Sequence, residues 1–359
     1  MAHVAFYAPM KTPTDAVPSG DREMARNLMR VIGARATVEV ASQLRARDGN
    51  GNAAVQGDIM EAARDEVLRV IASLKGRDIA LWVTYHNYYK APDLIGPAVC
   101  RALNLGYVQI ESTRARSRLQ GPWAGFAQAA EAASDAADVI FYLTELDLIT
   151  LKRDQVTGQK LVHLRPFLAN DSLPDWSDSG SDVMLSVGMM RAGDKLASYR
   201  IIADTLDHLS GDWRLEIAGD GPARAEVMAL MARFGPKVTF LGQLDRGGLA
   251  QAYNRAGVLF WPGVNEAYGM VYLEAQSAGV PVVAQDRPGV RDVVLAGVLP
   301  VPEAGPEALA VCLNRLLNNP DERSELGRQA RREVERNHLF TAATETFWNA
   351  VSPLIEARV

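Results

Sequence analysis

The chain has 359 residues, of which 48% are hydrophobic and 23% are charged. This length exceeds what one hydrophobic core serves well and predicts two domains of roughly 150–200 residues each. No apolar run approaches the ~18 residues that a membrane-spanning helix needs, which leaves only peripheral membrane contact open. The formal net charge of −5 argues against a dedicated nucleic-acid-binding protein. The oligomeric state is not readable from the sequence.

The N-terminal residues and the cysteines indicate a cytoplasmic protein. The chain enters a strand-like run at His3 without a basic segment, which is not the pattern of a signal peptide. Cys100 and Cys312 are far apart and have no metal-binding spacing. We therefore expect two free, buried thiols, as in a reducing compartment.

Short runs of β-branched and aromatic residues alternate with helical patterns along the whole chain, which is typical of βαβ units and parallel sheets. The predicted strands are 3–8, 37–42, 78–85, 107–112, 139–144, 183–188, 213–218, 238–241, 258–261, 281–284 and 298–301. The polar, turn-rich segment 170–182 breaks this alternation and predicts an interdomain linker. We therefore predict an α/β fold of two Rossmann-like domains whose parallel sheets face each other across a cleft.

The segment 264–284 carries the most chemical information. It holds two carboxylates eight residues apart, Glu266 in a loop and Glu274 on a predicted helix. Carboxylates accept hydrogen bonds from sugar and ribose hydroxyls. The unpaired N–H groups at the start of the helix can hold a phosphate, helped by the helix dipole. These N–H groups belong to Tyr268, Gly269 and Met270.

Three features in the first half of the chain each allow two interpretations. His86 ends a predicted strand and either caps a neighbouring helix or faces the cleft. Three arginines alternate along the chain, either as a solvated edge or as a contact for an anionic acceptor. They are Arg114, Arg116 and Arg118. Three tyrosines are expected to pack, unless one of them faces a sugar ring. They are Tyr85, Tyr88 and Tyr89.

Two familiar ligand motifs are absent from the sequence. No Asp-x-Asp occurs, so a metal-bridged diphosphate is not expected. No Gly-x-Gly-x-x-Gly occurs, which argues against a nicotinamide-dependent dehydrogenase.

The spacing Glu266-x7-Glu274, with GMVYLEAQSAGVPVVA at 269–284, resembles the signature of family 4 of the retaining glycosyltransferases, which have the GT-B fold. Further segments match the family in order and spacing. They are PSGDREMARNL (18–28), LSVGMMRAGDK (185–195), IAGDGP (217–222), VTFLGQL (238–244) and DRPGVRDVV (286–294). The resemblance implies a hexosyltransferase that uses a nucleotide diphosphate sugar without a metal or other cofactor. The acceptor, whether glycan, lipid or small molecule, stays unidentified.

The resemblance also implies the domain roles. It makes 1–175 the acceptor domain and 176–340 the donor domain, and it returns a C-terminal helix, 341–359, to the first domain.

The resemblance assigns roles to particular residues. Glu266 would approach the transferred sugar, and Glu274 would hold the ribose of the donor. Lys195 and Arg191 would neutralise the leaving diphosphate, whose charge grows as the glycosidic bond breaks. Backbone at several further positions would contact the donor. These positions are Gly20, Gly188, Gly219, Tyr268, Gly269 and Met270.

The chain departs from the family pattern around the basic pair. The family places arginine directly after the strand glycine and lysine four intervening residues later. Here Met189 follows Gly188, and only three residues separate Arg191 from Lys195.

Two further departures lie in the first half. The family's Gly-Gly is Ser19–Gly20, and Glu111 stands where the family often has histidine, with His86 on the preceding strand as the other candidate. These departures keep open a catalytically silent GT-B protein that binds nucleotide as a scaffold. A third possibility is a GT-B-like sugar-nucleotide epimerase.

Overall fold

The residues that the computed structural model describes are 2–16, 20–175, 181–295 and 297–357. Ser19 and the middle of the predicted linker therefore lie outside the described residues. The chain divides into two compact units, a first unit of residues 1–165 with 341–359 and a second unit of residues 166–340.

The first unit is built on a six-stranded parallel sheet. Its strands are β1 (Ala2–Tyr7), β2 (Ala36–Ser42), β3 (Ile79–Asn87), β4 (Gly106–Ser112), β5 (Val139–Tyr142) and β6 (Lys160–His163). Its connecting helices are α1 (Gly20–Gly33), α2 (Ala53–Leu74), α3 (Gly96–Leu103), α4 (Ala124–Ala136) and α5 (Glu145–Arg153). The strand order is β2-β1-β3-β4-β5-β6. This order reverses direction between β1 and β3, and ligands bind such sheets at the carboxyl ends of the strands near that point.

The second unit is built on a five-stranded parallel sheet in the order β11-β10-β7-β8-β9. Its strands are β7 (Val183–Val187), β8 (Arg214–Ala218), β9 (Val238–Gly242), β10 (Val258–Phe260) and β11 (Val282–Val283). Its helices are α6 (Asp194–Leu206), α7 (Arg224–Met231), α8 (Arg246–Arg255), α9 (Met270–Ser277), α10 (Val290–Val293), α11 (Gly305–Asn318) and α12 (Pro320–Asn337). The prediction of an α/β fold with two parallel sheets is confirmed.

The strands of both sheets are buried, which explains why they are apolar runs in the sequence. Strand β3 has eight of its nine residues buried because helices cover both faces of a parallel sheet. Caps fix the helix starts: the Asn52 side chain accepts hydrogen bonds from the backbone N–H groups of Ala54 and Val55 at the start of α2. Thr144 likewise accepts from the N–H of Asp147 at the start of α5.

The C-terminal helix α13 (Phe340–Glu356) packs on the first unit. The ring of Phe347 stacks on Phe141 with centroids 5.3 Å apart. The indole N–H of Trp348 donates a hydrogen bond of 3.1 Å to the carbonyl of Val31.

The strands in the structure differ from the predicted strands at two sheet edges. The predicted strand 298–301 is wrong, because the structure has only a single bridge there, between Val298 and Val283. Pro300 lacks the N–H that would extend the pairing. Strand β6 was not predicted, since its four residues at the sheet edge include the polar Lys160 and His163.

Two further expectations concern the thiols and the membrane. Neither Cys100 nor Cys312 forms a disulfide in the structure. Cys100 is buried as expected, whereas Cys312 is only half-buried because it lies on a partly exposed face of α11. None of the helices in the described part of the chain combines the length and apolarity needed to cross a bilayer.

Replacing Phe347 by alanine is expected to lower the free energy of unfolding of the first unit by about 3–5 kcal/mol, because a fully buried ring is removed. Chemical denaturation of the whole chain followed by circular dichroism measures this loss. The control Asn349→Ala, at an exposed position of the same helix, should change it by less than about 0.5 kcal/mol. Equal, small effects of the two substitutions would contradict the packing of α13 described above.

Candidate active site

In the second unit, three side chains meet at the carboxyl ends of the neighbouring strands β7 and β10. Lys195, in the first turn of α6, contacts Oε1 of Glu266 through its Nζ. The indole N–H of Trp261, the residue after β10, donates to the same oxygen at 2.9 Å. The Lys195 ammonium also lies 5.3 Å from the Trp261 ring centroid. We call these residues the lysine–glutamate–tryptophan cluster; the sequence did not single out Trp261.

The two oxygens of Glu266 are therefore not equivalent. Oε1 accepts from both Lys195 and Trp261, whereas Oε2 has no hydrogen-bond partner among the described residues. The Glu266 side chain remains 13% exposed, so Oε2 is accessible to a ligand hydroxyl. A carboxylate held by one oxygen presents the other as an oriented acceptor.

The loop that carries Glu266 is tied to α6. The backbone N–H of Val264 donates to the Ser198 hydroxyl at 3.1 Å, and the Asn265 side-chain amide donates to Asp194 at 2.9 Å. Asn265 has a φ of 51°, in the left-handed region. Because these bonds hold the two residues that directly precede Glu266 against α6, the carboxylate is positioned before any ligand binds.

Helix α9 begins four residues after Glu266. Gly269 caps it with a φ of 71°, and a Cβ there would lie 2.6 Å from the Tyr272 ring, so the position requires glycine. The backbone N–H groups of Gly269, Met270 and Val271 have no acceptor in the described part of the chain. Tyr268, half-buried, precedes them. Such a helix start attracts an anion.

Glu274 lies one turn further along α9 and has a different environment. Its Oε2 accepts a hydrogen bond of 2.8 Å from the Tyr253 hydroxyl. Burial raises the pKa of Glu274, and the bond from Tyr253 opposes this effect. The structure therefore pairs Glu274 with Tyr253, which the sequence did not indicate, and leaves it outside the lysine–glutamate–tryptophan cluster.

The predicted glycines of the second unit are needed for close packing of two loops. A Cβ on Gly219, whose φ is 144°, would lie 1.9 Å from the Gly188 carbonyl oxygen. The Gly188 N–H donates to the Ala218 carbonyl at 3.0 Å. These contacts hold the backbone that leads from β7 to Lys195.

Arg191 is not bonded to the lysine–glutamate–tryptophan cluster. It is exposed, and its guanidinium forms no hydrogen bond or ion pair with any residue in the described ranges. The structure brings together Lys195 and Glu266 but does not bring Arg191 to them.

In the first unit, the structure brings His86 and Glu111 together. They lie at the carboxyl ends of the neighbouring strands β3 and β4, with His86 Nε2 3.9 Å from Glu111 Oε2. Asp21, in the first turn of α1, lies 3.7 Å from the same nitrogen and was not identified from the sequence. Gly20 begins α1 beside it, and a Cβ on Gly20 would meet no described atom within 4 Å. We call the three charged residues the acid–histidine cluster.

Strain and unpaired polar atoms mark this cluster. His86 and Glu111 have φ values of 67° and 58°, a conformation that residues other than glycine seldom adopt. His86 Nε2 and Glu111 Oε2 are buried without a hydrogen-bond partner among the described residues. Strained backbone and unsatisfied polar atoms at strand ends are typical of functional sites.

The charges of the cluster are coupled. Burial lowers the pKa of His86, but the carboxylates of Glu111 and Asp21 outweigh it, so the pKa is raised above the ordinary 6.5. Burial raises the pKa of Glu111, and His86 opposes this. The imidazole in turn lowers the pKa of Asp21. The cluster therefore favours a protonated histidine between two acids.

Comparisons with known proteins agree with this architecture. Residues 185–333 match the family model described as glycosyl transferases group 1. The chain is 31% identical over 154 residues to the sulfoquinovosyl transferase SQD2 of Arabidopsis thaliana, a match that covers 41% of this chain and 29% of that protein. The chain thus spans less than a third of the length of the first curated relatives it matches.

Two solved structures cover nearly the whole chain. Sucrose-phosphate synthase of Thermosynechococcus elongatus superposes with a TM-score of 0.71 at 19% identity, covering 99% of this chain and 100% of that one. HepE of Anabaena, in complex with UDP and glucose, gives a TM-score of 0.70 at 14% identity, covering 98% and 100%. These likenesses establish the fold, and the predicted GT-B fold is confirmed.

Replacing Glu111 by glutamine should lower the pKa of His86, because the carboxylate that raises it is lost whereas burial remains. Titration of the imidazole C–H resonances by NMR measures the change. The wild-type protein, titrated in the same way, is the reference.

The raised pKa of His86 determines how the stability of the folded state changes with pH. In the wild type, the stabilisation of the folded state by protonated His86 is present below about pH 6.5 and is lost as the pH rises through the folded-state pKa. A His86 midpoint that is unchanged or raised in Glu111→Gln would refute the coupling.

Proposed function

We propose that the protein is a retaining glycosyltransferase of the cytoplasm that moves a hexose from a nucleotide diphosphate sugar to an acceptor hydroxyl. The observation that carries this proposal is the contact between Lys195 and Glu266 beside the start of α9. The match to glycosyl transferases group 1 spans these residues. The name of the Arabidopsis relative supports the transfer of a sugar, and the UDP bound to HepE supports a nucleotide-bearing donor. Two cysteines that form no disulfide support the location.

The donor would bind across the carboxyl edge of the second sheet. Its diphosphate would accept hydrogen bonds from the N–H groups of Gly269 and Met270 at the start of α9. Lys195 has three N–H donors and uses one on Glu266, so it can also donate to the diphosphate. Glu274, oriented by Tyr253, would accept hydrogen bonds from the ribose.

In the transfer step, the bond between the anomeric carbon and the diphosphate oxygen breaks, and its electron pair leaves with the diphosphate. The acceptor oxygen forms the new bond on the same face of the sugar, and its proton passes to the departing phosphate oxygen. Lys195 stabilises the negative charge that develops on the diphosphate, which is the main electrostatic contribution of this site.

Glu266 would orient the transferred sugar. Its Oε1 is occupied by Lys195 and Trp261, so its Oε2 is the oxygen that accepts a hydrogen bond from a sugar hydroxyl. Positioning of this kind contributes strongly when the chemistry needs no protein nucleophile.

We assign the acid–histidine cluster a joint role. His86 and Glu111 contact each other, so we propose that they act as a pair in place of the family's single histidine.

The site predicts different effects for its two glutamates. In Glu266→Gln, the amide oxygen must face Lys195 and Trp261, which turns an NH₂ donor toward the sugar where an acceptor is needed. The turnover number should fall about 10²- to 10³-fold with nearly unchanged nucleotide affinity. Glu274→Gln should instead weaken nucleotide binding about 10- to 100-fold. Steady-state kinetics and calorimetric titration with the nucleotide separate the two effects.

The matched control for these variants is Glu226→Gln, at an exposed position on α7. It should leave both quantities within experimental error. If the two site variants gave the same pattern, the division of roles would be wrong.

The reaction itself is tested by incubating the protein with UDP-, GDP-, ADP- and dTDP-sugars and a mixture of acceptors. Transfer to an acceptor with retained anomeric configuration, read by NMR of the product, supports the proposal. Product from a donor alone would identify an epimerase, and nucleotide binding without any product would identify a silent binding protein. Absence of binding and turnover with every donor would refute the proposed class.

We also propose that transfer needs no metal ion, since the lysine and the helix start supply the positive charge. Turnover should be unchanged within about twofold after addition of excess EDTA, because the Lys195 ammonium and the helix-start N–H groups would stabilise the charge on the diphosphate. Loss of activity that Mg²⁺ or Mn²⁺ restores would contradict this.

A further inference from the structure

Four side chains form a second cluster in the first unit, in the segments that follow β3 and β4. Tyr89 and Trp123 meet edge to face, with ring centroids 5.6 Å apart. The Arg118 guanidinium lies 5.1 Å from the Tyr89 centroid and 5.5 Å from the Trp123 centroid. The Lys90 ammonium lies 5.7 Å and 5.6 Å from the same two centroids. We call these four residues the aromatic–cation cluster.

The two cations of this cluster lack an anionic partner among the residues that the structure describes. The neighbouring arginines do have such partners. Arg114 is buried and pairs with Glu131 and Asp135 at 2.9 and 2.7 Å, and Arg116 pairs with Asp154. Neither Arg118 nor Lys90 forms an ion pair with a carboxylate anywhere in the described ranges. Two like charges that share the same rings repel each other, so an anion between them would be favourable.

Asp48 is an acidic residue whose backbone contacts that of Lys90, but its carboxylate already has hydrogen-bond partners. The N–H of Asp48 donates to the Lys90 carbonyl at 3.0 Å. Its carboxylate accepts from the N–H groups of Asn50 and Asn52 and from the Gln56 amide, at 2.7–2.8 Å. Asp48 therefore organises the loop and is not the counter-ion of Lys90.

Trp123 adds a directional donor to the cluster. Its indole Nε1 is buried and has no hydrogen-bond partner among the described residues. A buried N–H without an acceptor is unfavourable and indicates an oxygen that completes the site. Both aromatic residues are also partly exposed, so they offer apolar surface against which a sugar ring can lie.

The cluster lies at the ligand-binding edge of its sheet. Tyr89 and Lys90 follow β3 and Arg118 and Trp123 follow β4, the strands that carry His86 and Glu111. The cluster is thus placed at the same carboxyl edge as the acid–histidine cluster.

We infer that the aromatic–cation cluster is a subsite for an anionic carbohydrate acceptor, a pyranose that bears a phosphate or a carboxylate. Arg118 and Lys90 bind the anion, the indole N–H donates to a sugar oxygen, and the rings support the sugar. This inference rests on the proposed function for the identity of the ligand as an acceptor.

Binding is tested by calorimetric titration of the whole protein with four probes. They are glucose 6-phosphate, glucuronate, methyl glucoside and inorganic phosphate. At least one anionic sugar should bind about tenfold or more tightly than methyl glucoside, because charged groups strengthen its hydrogen bonds. It should also bind more tightly than inorganic phosphate, which cannot use the rings. Preference for the phosphate or for the carboxylate sugar then identifies the source of the negative charge.

The variants Arg118→Gln and Lys90→Gln should each reduce the advantage of the anionic sugar about tenfold. Arg116→Gln, a neighbouring arginine with its own carboxylate partner, should preserve it. Trp123→Leu should weaken sugar binding and leave the affinity for inorganic phosphate unchanged. Equal affinity for charged and neutral sugars, or an advantage that survives both charge variants, would overturn the inference.

Failure of the proposed function has a different signature. It would appear as absent binding of every nucleotide sugar to the wild type, measured in a separate titration. An intact donor affinity together with no preference for anionic sugars would overturn the acceptor subsite alone.

Discussion

The ion pair between Lys195 and Glu266 is the interaction on which the account of the second unit depends. It joins the first turn of α6 to the loop after β10, and the indole of Trp261 shares the same carboxylate oxygen. An ammonium, an oriented carboxylate and the open N–H groups of a helix start then lie within one short stretch of the sheet edge. A phosphate ester of a sugar combines negative charge with hydroxyl donors, and this arrangement is complementary to both.

The first unit carries its functional charges in two clusters, the acid–histidine cluster and the aromatic–cation cluster. His86 and Glu111 are held in left-handed backbone at the ends of adjacent strands, with buried polar atoms that no described residue satisfies. Lys90 and Arg118 surround an aromatic pair a few residues further along the chain. Neither group resembles a nucleophile with its base. We interpret both as means of positioning hydroxyls and anions, which suits a reaction driven by orientation and electrostatics.

The sequence predicted the fold well and the contacts within the site poorly, for physical reasons. Most strands of a parallel sheet are buried on both faces, so they are visible as apolar runs; β6, a four-residue edge strand, is not. Trp261 and Tyr253 were missed because an aromatic residue near a strand or helix end looks like ordinary packing. The pairing of His86 with Glu111 required the order of β3 and β4 in the sheet, which no local pattern encodes. The three alternating arginines look alike in the sequence but have different partners in the structure. Arg114 and Arg116 pair with acidic residues 17 to 38 positions further along the chain, whereas Arg118 pairs with none of the described acidic residues.

Hydrogen exchange of single backbone amides tests the central claim most directly. The protein is compared with and without each of the UDP-, GDP-, ADP- and dTDP-sugars, and the amides of Gly269, Met270 and Val271 are followed by fragmentation mass spectrometry. A donor that binds should slow exchange at these amides, because its diphosphate accepts their hydrogen bonds. A donor that binds while these amides exchange as fast as before would contradict the account.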